Sequence, residues 1–254
     1  MKIILIVIAF FPYFQVLSQK SLFELYWKEA YKNYSSSNLN DAEKYSKLAG
    51  QEALKIQNDT LILSAYELLS IIQTKMGKYD EAEYAIVQEL DIFQKIHGKN
   101  GEGIASIYNN LANVNHLLNR NFQAEFFYKK SIESLLSQDK IDSLRYAGTL
   151  NGYGALLIDL KKFEDAKEMF SASFNLYYEL LQKQRSNKIE SDMLITDFIN
   201  LMRNYAILYE QLDDKYNANK YYHEALDICN KTIGWDHYMT IDIMKSYIKF
   251  KNID

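Results

Sequence analysis

The chain has 254 residues and a formal net charge of −4, with 48% apolar and 24% charged side chains. This is the composition of a globular protein, and its mild acidity argues against binding to a nucleic-acid backbone. Cys229 is the single cysteine, which excludes an intrachain disulfide. It occupies an apolar helical position, so we interpret it as a buried small side chain rather than a reactive thiol.

Residues 1–18 have the pattern of a secretory signal peptide. Lys2 precedes an unbroken apolar run at 3–14, and small residues around Ser18 form an acceptable cleavage site. The run is shorter than the roughly 20 residues that span a bilayer. We therefore expect cleavage before Gln19 and export to the periplasm, the cell envelope or the medium. The alternatives are an uncleaved anchor, which would be the only membrane contact, and a buried helix.

The sequence after the signal peptide predicts helices throughout. It contains nine glycines and no proline, so helix breakers are scarce. No stretch shows sustained strand alternation. The apolar residues of one segment follow the 3,4 spacing of a helix face; they are Leu61, Ala65, Leu68, Leu69, Ile72 and Met76. We therefore predict an all-α fold.

Small side chains recur at two positions in each of five segments. The second small residue follows the first by 12 positions, and it recurs at intervals of 40, 42, 42 and 52 residues. Antiparallel helices approach closely only where the facing side chains are small, so we expect the two positions to meet where paired helices cross. The predicted repeat-packing residues are Ala30, Ala42, Ser70, Ala82, Ala112, Ala124, Gly154, Ala166, Ala206 and Ala218.

These repeats predict a row of helix pairs followed by a closing helix. One pair cannot bury its apolar faces alone, so pairs stack and share a core. We expect one domain over residues 19–254, with the closing helix capping the last pair. The predicted pairs span 20–57, 60–97, 102–138, 142–184 and 190–232, and the closing helix spans 236–251.

Four segments resemble tetratricopeptide repeats: "LLSIIQTKMGKYDEAEYAI", "NNLANVNHLLNRNFQAEFFYKKSI", "NGYGALLIDLKKFEDAKEMFSAS" and "NYAILYEQLDDKYNANKYYHEAL". The long period resembles the kinesin-light-chain-like variety. The resemblance implies a right-handed α-solenoid of about five antiparallel helix pairs with a C-terminal cap, which binds a protein or peptide on its concave surface. The sequence departs from the family pattern in two ways. No proline closes any repeat, and the aromatic residues of the turns before Ala124 and Ala218, which are Phe122 and Tyr216, stand one position later than the pattern places them. We expect those two turns to be wound differently from the family norm.

Motifs for catalysis or metal binding are absent from the sequence. It has no His-Glu-x-x-His, no Gly-x-Ser-x-Gly, no phosphate loop and no cysteine pair. The four histidines lie in four different segments, without the spacing of zinc ligands. We therefore predict a protein that is not an enzyme and has no cofactor and no metal.

Polar residues at inward positions of the first helices form a candidate peptide site. An asparagine amide both donates and accepts hydrogen bonds, so it can hold a peptide backbone, and a lysine or arginine can bind a carboxylate. In tetratricopeptide proteins asparagines on this helix often hold an extended peptide, and Asn110 and Asn204 fall on the matching position. Gly152 interrupts the series. The candidate residues are Lys75, Asn109, Asn110, Asn113, His116, Asn151, Arg203 and Asn204.

Several alternatives stay open at the sequence level. Binding could use a different face, or the chain could lack a specific peptide groove. A second function is an extracytoplasmic sensory or regulatory array that works with a separate signalling partner. Self-assembly through the end helices is compatible with either function. We interpret the aromatic cluster of Trp27, Tyr31 and Tyr34 as packing between repeats rather than as a binding platform.

Overall fold

A computed structural model of the protein describes residues 20–187 and 192–252, so the predicted signal peptide lies outside the described residues. Within these ranges the chain forms eleven α-helices and no strand. None of the described helices combines the length and the apolar character needed to cross a membrane. The helices are α1 (20–35), α2 (Leu39–Ile56), α3 (Asp59–Lys75), α4 (Tyr79–His97), α5 (Ile104–Leu117), α6 (Asn121–Leu136), α7 (Ser143–Asp159), α8 (Phe163–Asn187), α9 (Asp192–Gln211), α10 (Lys215–Thr232) and α11 (Tyr238–Lys251).

The helices form five consecutive antiparallel pairs, α1/α2 to α9/α10, and α11 follows the last pair. Short turns join the helices of each pair, and the consecutive helices from α2 to α5 and from α7 to α11 pack together. Helix α11 packs on α10 through the rings of Tyr247 and Tyr222, whose centroids are 5.3 Å apart. The predicted all-α fold of about five helix pairs with a final helix is therefore confirmed.

The turns inside the five pairs share one backbone geometry. In each turn the residue five positions before the packing alanine has a positive φ between 55° and 74°. The next amide donates to the carbonyl five residues earlier at 2.8–2.9 Å, and the amide of the positive-φ residue donates to the carbonyl three residues earlier. These bonds define the Schellman motif, which ends an α-helix. The positive-φ residues are Ser37, Gly77, Asn119, Lys161 and Asp213.

The prediction that the turns before Ala124 and Ala218 are wound differently is wrong. Both turns have the same positive φ and the same pair of hydrogen bonds as the other three. The late aromatic residue does not change the backbone, because its ring simply points into solvent. Phe122 is 82% exposed and Tyr216 is 78% exposed.

The contacts divide the chain into two compact units, with the boundary in α6 between Phe127 and Tyr128. The N-terminal unit contains several separate buried clusters, one between α1, α2 and α3 and another between α4 and α5. The C-terminal unit has one large buried cluster, which includes Phe170, Tyr177 and Ile199. The single domain over residues 19–254 stays a prediction.

All ten predicted repeat-packing residues are buried. Gly154 illustrates how closely the helices approach at these positions. A Cβ atom added to Gly154 would lie 2.4 Å from Cε1 of Phe170, well inside van der Waals contact. The α7/α8 pair therefore packs at a distance that only glycine allows at this position.

In the N-terminal unit, ion pairs join one helix pair to the next. Glu43 on α2 accepts hydrogen bonds from Lys78 at 2.5 Å and Lys47 at 2.6 Å. Glu83 occupies the equivalent position on α4 and binds Arg120 at 2.5 Å. Burial works to raise the pKa of Glu43, but hydrogen bonds from Lys47, Lys78 and Gln73 outweigh it and lower that pKa to about 2. The same pairing in successive repeats stabilises one register between neighbours.

Candidate functional site

The predicted peptide-binding residues lie on first helices, in two groups. The N-terminal group consists of Lys75 on α3 and of Asn109, Asn110, Asn113 and His116 on α5. The C-terminal group consists of Asn151 on α7 and of Arg203 and Asn204 on α9. Each group belongs to a different compact unit.

In the C-terminal group, two predicted asparagines contact each other across consecutive first helices. The amide Nδ2 of Asn204 donates to Oδ1 of Asn151 at 2.8 Å. Asn151 is buried and Asn204 is half-buried. The hydrogen bond fixes the orientation of both amides, so the remaining donors and acceptors keep a defined direction.

Arg203, one residue before Asn204, is held on one side only. Its Nη2 forms an ion pair with Oδ2 of Asp242 on α11 at 3.1 Å. Its Nε is buried and has no hydrogen-bond partner among the described residues. A buried donor without a partner costs about 1–3 kcal/mol, so this guanidinium has an unused hydrogen-bonding position.

Glu210 is two helical turns after Arg203, on the same face of α9. Its Oε1 is likewise buried without a hydrogen-bond partner among the described residues. Burial, followed by a hydrogen bond with Glu210, raises the pKa of Tyr222 on α10, while the charge of Arg203 acts to lower it. The guanidinium, the carboxylate and the phenol therefore lie close together.

Chemically, this face of α9 has one donor and one acceptor without hydrogen-bond partners among the described residues. A peptide backbone carries both N–H and C=O groups, so a bound chain has the groups that these two atoms lack. Arg203 and Glu210 could be grouped from the sequence, because their spacing of seven residues places them on one face of the same helix. Asp242 and Tyr222 were missed because no local pattern connects residues on separate helices.

In the N-terminal group, Asn109 has the same feature, since its Oδ1 is buried without a hydrogen-bond partner among the described residues. Asn110, Asn113 and His116 are half-buried on the same helix. Asn115 was missed by the sequence analysis. Its amide donates to Glu83 Oε1 at 3.1 Å and to the carbonyl of Leu111 at 2.9 Å, so it serves packing.

Lys75 lies against an aromatic ring of the neighbouring helix α1. Its Nζ is 4.6 Å from the ring centroid of Tyr34 on α1, which is a cation–π contact. Trp27, also on α1, stacks on Phe23 with the centroids 5.9 Å apart. These aromatic residues therefore contribute to packing among α1, α2 and α3.

Two carboxyl groups with raised pKa values, Glu89, which is buried, and Asp197, which is half-buried, lie outside these groups. Burial, with a smaller contribution from Glu67, raises the pKa of Glu89 on α4 to about 8. Burial also raises the pKa of Asp197 on α9 to about 6. The described residues contain no cluster of three metal-ligating side chains.

Comparisons with known proteins agree with the helix-pair architecture. The model of the tetratricopeptide repeat family matches residues 61–137. No curated protein sequence matches the chain. Solved structures match over most of the chain.

One of these structures is BtubC (BKLC) from P. vanneervenii, with 20% sequence identity, a TM-score of 0.61, and coverage of 88% of this chain and 92% of that one. The apo form of RapI has 14% identity and a TM-score of 0.61, over 83% of this chain and 84% of its own. TPR-like repeats of a Podosopora anserina putative kinesin light chain have 13% identity and a TM-score of 0.51, over 84% and 95%.

At these identities the similarity concerns the fold. Both the family model and the kinesin-light-chain-like repeats agree with the resemblance found in the sequence. The sequence pattern of the tetratricopeptide repeat family is thus found at residues 61–137, and the fold of similar solved structures extends over most of the other helices.

Proposed function

We propose that the chain is a non-catalytic, exported scaffold that binds an extended protein or peptide segment on the first helices of its repeats. Tetratricopeptide repeats typically mediate protein–protein interaction, which is the general role that the family supports. The finer proposal, that binding occurs at the two groups of polar residues, rests on the contacts within each group.

The observation that carries the proposal is the set of unfilled polar atoms on first helices. Asn109 Oδ1, Arg203 Nε and Glu210 Oε1 are buried without hydrogen-bond partners among the described residues, although each side chain is partly exposed. Native proteins satisfy most buried polar groups. A bound backbone that displaces the side chains covering these buried atoms would supply the missing donors and acceptors.

The chemistry of the site favours main-chain recognition over a particular sequence. Asn204 is already oriented by Asn151 at 2.8 Å, so binding costs less ordering of the side chains. Arg203 adds a preference for a carboxylate or a carbonyl near Asn204. We therefore expect a partner segment that is extended, with an acidic residue near this position.

The test is affinity capture from envelope extract, comparing the wild type with an Asn151→Ala/Asn204→Ala double variant. Because these amides bind each other, removing both leaves neither one unpaired. We expect recovery of the partner to fall at least about tenfold, which corresponds to about 1.4 kcal/mol. Asn175→Ala, at an exposed position on α8, is the matched control. Equal recovery of every captured protein by all three forms would reject this site.

Export is supported by the pattern of residues 1–18 alone, namely Lys2, the apolar run and the small residues before Gln19. It is tested separately, by expressing the tagged chain in its native host and sequencing its N-terminus by mass spectrometry. We expect Gln19 at the N-terminus of protein recovered outside the cytoplasm. Intact Met1 in the cytoplasmic fraction would contradict export and leave the binding proposal untouched.

A further inference from the structure

Helix α11 has an apolar stripe that no other described residue covers. Ile241, Met244 and Ile248 follow the 3,4 spacing of one helix face, and their exposed fractions are 41%, 36% and 54%. Trp235, just before the helix, is 50% exposed. Scattered exposed apolar residues are ordinary, but a contiguous patch of this kind marks an interaction surface.

The stripe forms one wall of a groove between α10 and α11. The groove has a volume of about 410 Å³, and its apolar lining comes from Leu226, Trp235, Met244 and Ile248. In the pairs α3/α4, α7/α8 and α9/α10, the second helix packs on the first. The groove is thus a surface of the kind that another α-helix covers elsewhere in this fold.

The spacing of residues along α11 is compatible with a second copy of the same helix. Ile241 and Ile248 lie at equal distances from the midpoint between Met244 and Lys245, and Tyr238 and Lys251 do so as well. A twofold contact requires residue i to face residue j in both directions. Two antiparallel copies of α11 meet this condition, with isoleucine opposite isoleucine and tyrosine opposite lysine.

The charges around the groove are also complementary between two copies. On α10 the groove is lined by Asp227, whose side chain is 58% exposed and whose present ion pair with Lys231 is at the surface. Exposed surface pairs contribute little, so this carboxylate can change partners. Helix α11 carries Lys245 and Lys249 beside the apolar stripe, both of them exposed. A second α11 in the groove would place its lysines against Asp227.

We propose that α11 and the groove beside it form a self-complementary interface, through which the protein forms a twofold homodimer. Burial of the apolar stripes of both copies would supply the affinity, and the lysine–aspartate contacts would favour the antiparallel orientation. This inference does not depend on the proposed peptide site, because it uses only residues of α10, α11 and the segment between them.

The first test is sedimentation of the wild type and of Ile248→Glu. The isoleucine is exposed in the monomer, so the substitution leaves the fold intact. Each dimer loses two apolar contacts and gains two charges, so we expect the dissociation constant to rise about a hundredfold, about tenfold for each copy. Phe122→Glu, which removes a ring that is 82% exposed on α6, is the control and should leave the dimer unchanged.

The second test determines the orientation. Cys229 is fully buried, so cysteines introduced on α11 supply the reactive thiols. We expect Ile241→Cys/Ile248→Cys to form a disulfide-linked dimer on oxidation, because position 241 of one copy faces position 248 of the other. Ile241→Cys alone should not crosslink, since two copies of position 241 would lie roughly 10 Å apart along the helices, beyond disulfide reach.

Either of two results would overturn the proposal. A wild type that sediments as a monomer throughout the micromolar range would show that a second copy does not occupy the groove. A dimer that persists in Ile248→Glu, or in which Ile241→Cys crosslinks as well as the double variant, would place the interface elsewhere or in another orientation.

Discussion

Because Gly154 has no side chain, α7 and α8 can pack closely at this position. A Cβ atom there would lie 2.4 Å from Phe170, whose ring is fully buried in the core of the C-terminal unit. The ring cannot move away without opening a cavity in a close-packed cluster. Gly148, on the same helix, has a different environment, since a Cβ atom there would lie 3.5 Å from the hydroxyl of Tyr177.

We therefore predict opposite effects of the same substitution at these two glycines. Gly154→Ala should lower the free energy of unfolding by about 1–3 kcal/mol, because it forces overpacking. Gly148→Ala should raise it by about 0.5–1 kcal/mol, because alanine favours the helix and the space is available. Urea denaturation of both variants measures the difference. An equal effect at the two sites would contradict the close approach at Gly154.

Glu89 is the residue whose titration should be most visible in the stability of the protein. It is buried, Glu67 lies nearby, and its pKa is raised from 4.5 to about 8. Because the folded pKa is above the unfolded one, the folded protein keeps a proton that the unfolded chain releases. The free energy of unfolding therefore falls as the pH rises from about 4.5 to about 8, by about 1.4 kcal/mol for each pH unit.

The variant Glu89→Gln should lose this dependence, because its amide does not titrate. We expect the variant to be more stable than the wild type at pH 8 and above, with the advantage shrinking as the pH falls toward 4.5. Thermal unfolding in matched buffers measures both proteins. Glu81→Gln, at an exposed position on the same helix, should follow the wild type. A constant difference between variant and wild type at all pH values would contradict the raised pKa.

At the scale of elements, the turns are the feature that all five helix pairs share. Each one places a residue in the left-handed region, yet only Gly77 is a glycine. Asparagine and aspartate tolerate this conformation, but lysine and serine do so at a cost. The Schellman hydrogen bonds and the packing of the pair hold Lys161 at a φ of 58° against that cost.

Replacing Lys161 with glycine should consequently stabilise the protein by about 0.5–1 kcal/mol, since relief of strain outweighs the greater freedom of the unfolded chain. The reciprocal change, Gly77→Ala, should destabilise it by about 1 kcal/mol, although no atom of the described residues lies within 4 Å of the added Cβ. Chemical denaturation tests both. Stabilisation by Gly77→Ala would contradict the left-handed turn.

The sequence predicted the pairs well because each pair depends on local spacing. Small residues at Ala112 and Ala124, for example, lie on neighbouring helices that a short turn connects, and both are fully buried. The predicted winding of the turn containing Phe122 was wrong because it was inferred from the position of an aromatic side chain. The backbone hydrogen bonds determine the winding instead. The contact between Arg203 and Asp242 could not be predicted, since it joins helices separated by another helix.

Across the whole molecule, the buried residues are distributed unevenly. The core of the C-terminal unit is one cluster that joins α7, α8, α9, α10 and α11. Around α1, α2 and α3, the buried residues fall into separate small clusters, such as that of Phe23, Ala49, Ala53 and Ile62. In repeat proteins each element is stabilised mainly by its neighbours, so local stability should follow the local core.

We therefore predict that backbone amides of α8 and α9 exchange with deuterium more slowly than those of α1 and α2. Opening α8 exposes the large cluster around Phe170 and Tyr177, whereas opening α1 exposes few buried side chains, and exchange reports the free energy of such opening. Native-state hydrogen exchange with mass spectrometry measures the two regions in one sample. Tyr177→Phe keeps the ring and removes only a hydroxyl that has no hydrogen-bond partner among the described residues, so protection of α8 should persist, while Phe170→Ala should reduce it. Faster exchange in α8 than in α1 of the wild type would show that contacts other than these clusters determine local stability.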